Sequence, residues 1–395
     1  MKLAFVPPRF GPGVFGGSEA VSREAAVGLA ARGHDVEVVT TCAVDHYTWA
    51  NELPEGVSEE NGLAVRRFPV VRHPSRPALR AQLSIQAGQI PDLDYQVSWM
   101  GFLFGVPALF EYILRAGRDY DAIVFSPYLF WTTSVCAPFV AERAVIIPCL
   151  HDETYARLDV LRPVFADPAL MWFLSGPEHA LAHQLGPVGP KHSVTGAGVP
   201  VPSHYDAAGF MRRHGIERPF VLHAGRREEG KGLAWLLDAF SAAVLDGGLD
   251  LDLVSIGKGE FGRAIRVPPE LAGRVIDLGF VTDDERNDAF AAATAYVQTS
   301  RVESFSRTIM ESWLAGTPVI ASRRSEVVAW HCRRSGGGLM FNDGAELAEQ
   351  LRLVAEKPEM ASDLAAAGRR YVIENYTWPP VLDRMEASLQ ATFSV

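Results

Sequence analysis

The chain has 395 residues, a formal net charge of −10 and only four cysteines. A chain of this length is longer than a single hydrophobic core usually accommodates, so two domains are expected. The acidic balance argues against non-specific binding to nucleic acid. The cysteines have neither CxxC spacing nor neighbouring histidine pairs, which predicts reduced core residues instead of a disulfide framework or a zinc site.

The first residues, MKLAFVPPRF, form a short apolar run that Pro7 and Pro8 break at once. This run is too short for a secretion signal and is interpreted as a first strand. No apolar run approaches the roughly 18 residues of a membrane-spanning helix. We therefore expect a cytoplasmic protein.

Short apolar runs alternate with amphipathic helical patterns along most of the chain. This rhythm predicts doubly wound α/β domains, whose ligands bind at the carboxyl ends of parallel strands. The predicted strands include residues 2–6, 35–41, 121–126, 144–150, 220–223, 251–256, 275–281, 296–298 and 319–321.

The most informative stretch is residues 296–322, YVQTSRVESFSRTIMESWLAGTPVIAS. It predicts a strand, a loop with Glu303, a helix from about Ser304 to Leu314 and a second strand. Glu311 follows Glu303 by two helical turns on roughly the same side, about 10–12 Å away at 1.5 Å per residue. That spacing suits a ligand with a sugar at one end and a nucleoside at the other. The free N–H groups of the helix start favour its oxygen atoms.

A second motif, Gly225-Arg226 followed by Lys231-Gly232, occupies the loop after strand 220–223. Two cations beside a helix N-terminus can neutralise a diphosphate leaving group. In contrast, Asp250 and Asp252 spell DxD but precede a strand, away from its ligand end, so we interpret them as structural.

The first loop contains a literal GxGxxG over residues 11–16. A dinucleotide site needs an acidic residue at the end of the second strand, where this chain has Thr40 and Thr41. An NAD-dependent oxidoreductase is therefore the weaker alternative. Gly16 and Gly17 lie where a helix begins, and their missing side chains allow a ligand to approach the backbone.

Together these motifs resemble family 4 of the retaining GT-B glycosyltransferases (glycosyl transferases group 1). The resemblance covers essentially the whole chain but is dense only in its second half. It implies two Rossmann-like domains facing a central cleft. Residues 1–203 would bind the acceptor and residues 204–375 the nucleotide-sugar donor, while residues 376–395 would form a helix that packs back on the first domain.

The resemblance also implies an activity: transfer of a sugar, with retention, from a nucleoside diphosphate sugar to a hydroxyl acceptor in polysaccharide, glycolipid or glycoconjugate biosynthesis. No cofactor or essential metal is expected. The implied catalytic residues are Glu303, Arg226, Lys231 and His151, the last at the end of strand 144–150. The implied donor contacts are Gly16, Gly17, Gly225, Val281, Ser304, Phe305, Ser306 and Glu311, and the implied acceptor contact is Asp152. A nucleotide-sugar-binding protein without transfer activity remains an alternative.

Two stretches of the first domain can each be interpreted in two ways, and one of these ways implies a binding partner. Residues 66–80 carry five arginines and no acid, and residues 97–110 are apolar and uncharged. The first stretch is either a solvated loop or a surface for an anionic acceptor or membrane. The second is either a core helix or a lip that enters a lipid interface. Peripheral membrane contact is therefore an open expectation, beside the donor and the hydroxyl acceptor.

Overall fold

The computed structural model describes residues 1–72, 75–102, 104–227, 229–259 and 267–393. They form two compact units. Unit 1 combines Met1–Gly198 with Trp378–Val395, and unit 2 is Val199–Thr377. The boundaries expected at residues 203 and 375 lie a few residues from these limits. Parts of two predicted stretches, residues 73–74 and residue 103, lie outside the described residues.

Unit 1 is built on an eight-stranded sheet. Its strands are β1 (Lys2–Val6), β2 (Asp35–Thr41), β3 (Gly56–Glu60), β4 (Leu63–Phe68), β5 (Ala122–Phe125), β6 (Ala144–Ile146), β7 (Leu170–Phe173) and β8 (His192–Val194). The strand order is β3-β4-β2-β1-β5-β6-β7-β8. The β3–β4 hairpin is antiparallel, and the other neighbouring strands are parallel.

Helices cover this sheet. Those before the second unit are α1 (Gly17–Ala31), α2 (Arg76–Gln86), α3 (Leu93–Phe102), α4 (Pro107–Ala116), α5 (Trp131–Ser134), α6 (Arg162–Ala166) and α7 (Gly176–Leu185). Strands such as β5 and β7 are buried along their whole length, which explains their continuous apolar sequences.

Unit 2 is built on a six-stranded parallel sheet. Its strands are β9 (Phe220–Ala224), β10 (Asp252–Ile256), β11 (Val275–Gly279), β12 (Ala295–Gln298), β13 (Val319–Ser322) and β14 (Gly338–Phe341). The order is β11-β10-β9-β12-β13-β14. Its described α-helices are α8 (Ala207–His214), α9 (Leu233–Ser241), α10 (Asp283–Ala292), α11 (Arg307–Leu314), α12 (Glu326–Ser335), α13 (Gly344–Glu356) and α14 (Pro358–Asn375).

The last helix, α15 (Trp378–Phe393), belongs to unit 1 and packs on α1. Arg32 donates to Asp383 over 2.7 Å, and Trp378 Nε1 donates to Glu24 over 2.9 Å. The expected return of the C-terminal helix to the first domain is confirmed.

The strand orders confirm the prediction of two doubly wound α/β domains. In such sheets the chain order reverses at one point, and ligands bind there at the carboxyl ends of the strands. The reversal falls between β1 and β5 in unit 1 and between β9 and β12 in unit 2.

The arginine-rich run divides between two environments. Arg67 on β4 is buried, where it donates to Ser58 and to the carbonyl of Phe10, and Arg66 pairs with Glu37 at 2.8 Å. These two arginines are therefore structural. The others in the run, Arg72, Arg76 and Arg80, are exposed.

The apolar stretch divides as well, between α3 and α4. Leu109 and Ile113 on α4 are fully buried, so this helix belongs to the core. On α3, Trp99 is buried while Leu93 and Val97 are about half exposed. Among the described helices, none is both long and apolar enough to cross a membrane.

Candidate functional site

In unit 2, the loops after β9 and β12 meet at the point where the strand order reverses. Lys231 from the first loop and Glu303 from the second form an ion pair, with 2.7 Å between Nζ and Oε1. Both side chains are largely shielded, at 25% and 14% exposure. Two implied catalytic residues thus lie together where a doubly wound sheet binds its ligand.

Backbone contacts hold the same two loops together. Thr299 Oγ1 donates to the Lys231 carbonyl over 2.6 Å, and the Arg301 amide donates to the Gly230 carbonyl over 3.2 Å. Gly232 has a φ of +69°, and a Cβ there would lie 2.6 Å from the Thr299 carbonyl oxygen. A side chain at position 232 is therefore excluded by backbone conformation and by space.

The neighbouring arginines of the β9 loop have different surroundings. Arg226 is exposed, and Gly225 beside it is half-buried. Arg227 is buried, where it donates to the Gly257 carbonyl and pairs with Asp277. Arg227 anchors the loop to the ends of β10 and β11, a role that the sequence motif does not reveal.

The helix that carries Glu311 begins later than expected. Helix α11 starts at Arg307, not at Ser304, because Ser306 has a left-handed backbone with φ 67° and ψ 74°. Left-handed backbone at a serine interrupts the helix and is a local strain. The separation of 10–12 Å between Glu303 and Glu311 assumed continuous helix and therefore has no basis.

Residues 304–306 instead form a loop that is held by hydrogen bonds from Gln298, a buried residue at the end of β12. Its Nε2 donates to Ser306 Oγ over 2.9 Å, and its Oε1 accepts the Ser300 amide over 3.1 Å. Phe305 and Ser306 are buried, and Ser304 is half-buried. Sequence reasoning missed Gln298, although a polar residue ending a buried apolar strand was the available signal.

The remaining implied donor contacts of unit 2 lie on α11 and after β11. Glu311 Oε2 is 3.4 Å from Nε of Arg286 on α10, and its side chain is 10% exposed. Val281 is half-buried and follows Phe280, which is 57% exposed. Nζ of Lys258 lies 5.0 Å from the centre of the Phe280 ring.

The two glycines at the start of α1 in unit 1 differ in what surrounds them. A Cβ on Gly16 would lie 2.1 Å from Oε2 of Glu19, and Glu19 is buried in an ion pair with Arg9. A Cβ on Gly17 would meet no atom of the described residues within 4 Å. A side chain at position 16 would therefore have to displace the buried Glu19 carboxylate, whereas packing does not explain glycine at position 17.

The end of β2 is closed to a nucleotide ribose. Thr40 Oγ1 donates to the Pro7 carbonyl over 2.9 Å, and Thr41 Oγ1 donates to the Pro8 carbonyl over 2.7 Å. Both threonines are fully buried. These bonds hold the loop after β1 against β2, where a dinucleotide site would need an acidic side chain.

The loop after β6 carries His151 followed by two carboxylates, Asp152 and Glu153, which have different contacts. Asp152 is exposed and pairs with Arg157 at 2.5 Å. The carboxylate nearest to His151 is Glu153, at 3.9 Å from Nδ1, and it accepts a hydrogen bond of 2.9 Å from the Tyr128 hydroxyl. Burial and the Glu153 charge raise the pKa of Tyr128 well above its usual value, so it donates as a neutral phenol. Asp152 is thus paired with Arg157, and its implied role as an acceptor contact stays a prediction.

The two acids of the DxD sequence are engaged with arginines. Asp252 is buried, with Oδ1 3.1 Å from Nε of Arg274, and Asp250 also contacts Arg274 at 3.1 Å. Their structural interpretation agrees with these contacts.

Solved structures match this architecture over the whole chain. An Anabaena protein, Alr3699/HepE, in complex with UDP and glucose has a TM-score of 0.71 over 99% of this chain and 100% of that chain, at 18% identity. Sucrose-phosphate synthase from Thermosynechococcus elongatus has a TM-score of 0.74 over 100% of both chains, also at 18% identity. The fold is GT-B.

Sequence comparisons match part of this GT-B chain. Residues 218–357 match the family model described as "Glycosyl transferases group 1". A lipopolysaccharide core biosynthesis glycosyltransferase, LpsE of Rhizobium meliloti (strain 1021), is 28% identical over 42% of this chain and 48% of its own length. A GDP-mannose-dependent phosphatidylinositol dimannoside mannosyltransferase of Mycobacterium tuberculosis is 30% identical over 43% and 44%. The matched segment thus spans less than half of each of these relatives.

Proposed function

We propose that the chain is a glycosyltransferase that moves a sugar from a nucleoside diphosphate sugar to a hydroxyl acceptor. The observation that carries this proposal is the ion pair of Lys231 and Glu303 at the strand-order reversal of unit 2. A cation for the diphosphate and a carboxylate for the sugar are the two charges that this reaction requires. The match of residues 218–357 to the group 1 family supports it.

The reaction breaks the bond between the sugar and the diphosphate, so negative charge grows on the leaving group while positive charge grows on the sugar. We propose that Lys231 and Arg226 stabilise the diphosphate and that Glu303 holds sugar hydroxyls near the developing positive charge. Lys231 is already paired with Glu303, so donor binding places the phosphate oxygens beside a lysine whose position is fixed. Such preorganisation lowers the reorganisation required in the transition state.

For the rest of the donor, we propose contacts along the same strand ends. The amides of Ser304, Phe305 and Ser306 bind the sugar, and Glu311 accepts from the ribose hydroxyls. Gly225 and Val281 border the diphosphate and the base. Glu311 contacts Arg286, so the ribose shares this carboxylate with an arginine that holds its orientation.

In unit 1, we propose Gly16, Gly17 and His151 as substrate contacts and Asp152 as an acceptor contact. The empty space around Gly17 supports backbone approach by a substrate. We further propose membership of family 4 and retention of anomeric configuration, with the leaving phosphate taking the acceptor proton. We also propose that transfer needs no essential metal, because two cationic side chains supply the charge; chelation with EDTA should then leave turnover unchanged.

We propose a lipid-linked or glycan acceptor in glycoconjugate biosynthesis, since two relatives are named for lipopolysaccharide core biosynthesis and for a phosphatidylinositol dimannoside. A cytoplasmic protein with peripheral membrane contact fits this acceptor. Exposed Leu83 on α2 and Val97 on α3 lie on helices that pack together, with exposed Arg76 and Arg80 on α2. Sedimentation with anionic but not neutral vesicles, reduced by Leu83→Glu with Val97→Glu, is the expected result.

The decisive experiment measures release of nucleoside diphosphate from a panel of UDP-, GDP- and ADP-sugars. We expect slow hydrolysis of one donor, lost in Glu303→Ala and Lys231→Ala. The matched control is Lys357→Ala, since Lys357 is an exposed lysine at the end of α13 in the same unit. No release from any donor, with thermal stabilisation by one nucleoside diphosphate, would favour a nucleotide-sugar-binding protein. The absence of both would overturn the donor site.

A further inference from the structure

Three histidines cluster on the surface of unit 1, at the sheet edge formed by β8. His179 and His183 lie four residues apart on α7, and His192 begins β8. Residues four apart on a helix project from the same face. One ligand nitrogen from each of the three rings lies within 4.8 Å of the others. Helix and edge strand thus bring three imidazoles together from two elements.

We propose that His179, His183 and His192 bind one divalent transition-metal ion of the zinc class. Three neutral imidazoles with an open fourth position are a ligand set that suits zinc, nickel, cobalt and copper. The nitrogens are already near the required geometry: Nε2 of His183 is 3.0 Å from Nε2 of His179. In a tetrahedral site with metal–nitrogen bonds of about 2.0–2.1 Å, ligand nitrogens lie about 3.3 Å apart. Since the nitrogens lie within 4.8 Å of one another, the third ring has to approach by at most about 1.5 Å.

The three rings have different freedom to make this adjustment. His179 is half-buried, and its ring packs against that of Phe173 with 5.0 Å between centroids. Phe173 is fully buried, so it fixes the His179 ring. His183 and His192 are exposed and can rotate toward the ion. One fixed and two adjustable ligands fit a site that closes when the metal binds.

Metal binding would link β8, at the edge of the sheet, to α7. Strand β8 is three residues long and lies at the edge of the sheet, where it pairs with β7 and packs against α15. Helix α7 is anchored at its other end by buried Glu178, which accepts the Leu150 amide over 2.6 Å. A metal ion between α7 and β8 would therefore stabilise unit 1. None of the three histidines is among the residues proposed for sugar transfer, and the inference does not rest on that function.

The test uses the full chain without a polyhistidine tag and Zn²⁺ alone as the probe. Calorimetric titration and metal analysis after dialysis should give one ion per chain, and saturating Zn²⁺ should raise the melting temperature by a few degrees. His183→Ala and His192→Ala should each weaken binding at least as much as the roughly tenfold to hundredfold that loss of an outer-shell partner costs. Because both side chains are exposed, both variants should fold.

The matched control is His204→Ala, an exposed histidine outside the cluster, which should bind Zn²⁺ as the unchanged chain does. A Co²⁺-loaded chain should show visible absorption that His183→Ala lacks. No binding at about 0.1 mM Zn²⁺, where a specific site would be saturated, would overturn the proposal. Equal binding by His183→Ala and the unchanged chain would overturn it as well, since the ion would then lie elsewhere.

Discussion

The two units share one topology but hold their strand-end loops in different ways. In unit 2, the loops after β9 and β12 hold each other, and the implied functional residues Lys231 and Glu303 are part of that contact. In unit 1, the loop after β1 is held by residues with no implied role, such as Arg9, Thr40 and Thr41. The residues implied in function therefore also hold the loops in unit 2, whereas other residues hold the loop after β1 in unit 1.

This difference leads to an expectation about which substitutions each unit tolerates. A residue that both holds the loop and binds the donor cannot change without loss of both properties. In unit 1, the anchors can differ as long as the loop is held. The comparison can be tested by substitutions that affect either the structure of a loop or the binding of a substrate.

The largest effect is expected for the ion pair itself. Lys231→Ala and Glu303→Ala should each lower the rate of donor hydrolysis by about 10²–10³-fold, because each removes a charge that stabilises the transition state. The double variant should lose little more than either single one, since paired residues act as a unit. Single-turnover hydrolysis measures these rates. Losses that multiply in the double variant would contradict a shared role.

A smaller effect is expected where the two loops touch. Gly232→Ala combines positive φ with a backbone clash, so it should cost about 2–4 kcal/mol of unfolding free energy. Gly215 is the matched control: its φ is +62°, and a Cβ there meets nothing within 4 Å. Gly215→Ala should therefore cost only about 1 kcal/mol. Urea unfolding of both variants checks the difference, and equal costs would show that contact with Thr299 is unimportant.

The next smaller effect is expected for Gln298, which holds the loop after β12. Gln298→Ala removes the hydrogen bonds to Ser306 and to the Ser300 amide, so we expect a loss of about 1–3 kcal/mol and slower donor hydrolysis. Gln390→Ala, at an exposed position of α15, should change stability by less than about 0.5 kcal/mol. Unfolding and hydrolysis are measured on the same preparations. Lost stability with unchanged hydrolysis would show that the loop keeps its conformation without Gln298.

In unit 1, substitutions of Gly16 and Gly17 should separate an effect on stability from an effect on substrate binding. Gly16→Ala should destabilise the chain by about 1–3 kcal/mol, because its Cβ collides with the Glu19 carboxylate. Gly17→Ala should leave stability unchanged or slightly raised, since it is the first residue of α1 and has free space. If a substrate approaches this backbone, Gly17→Ala still weakens hydrolysis. Full activity in a stable Gly17→Ala protein would remove Gly17 from the site.

Much of this architecture could be predicted because apolar strands and helix stops are local signals. The bounds of β1, β2 and α10 agree with the sequence pattern. The start of α11 could not be predicted, since it depends on left-handed Ser306, which Gln298 holds from another element. The meeting of Lys231 and Glu303 followed from topology, because neighbouring parallel strands end at one edge.

The carboxylate nearest to His151, in contrast, could not be inferred from topology. Three adjacent polar residues, His151, Asp152 and Glu153, offer no local signal for which carboxylate turns toward the imidazole. The choice is made by Arg157, which pairs with Asp152, and by Tyr128, which donates to Glu153. Both lie outside the motif, so the sequence alone does not show which acid lies nearer to His151.

The smallest effect is expected at this loop. Glu153→Gln weakens the acceptor beside Nδ1 of His151 and should slow donor hydrolysis by roughly three- to tenfold, less than loss of a full general acid or base. Asp152→Asn removes an exposed ion pair worth about 0–1 kcal/mol and should leave hydrolysis within about twofold. Both variants are isosteric, so steady-state rates compare the two carboxylates directly. A larger loss in Asp152→Asn would mean that Arg157 releases Asp152 when substrate binds, and unit 1 would then share the dual use of side chains proposed for unit 2.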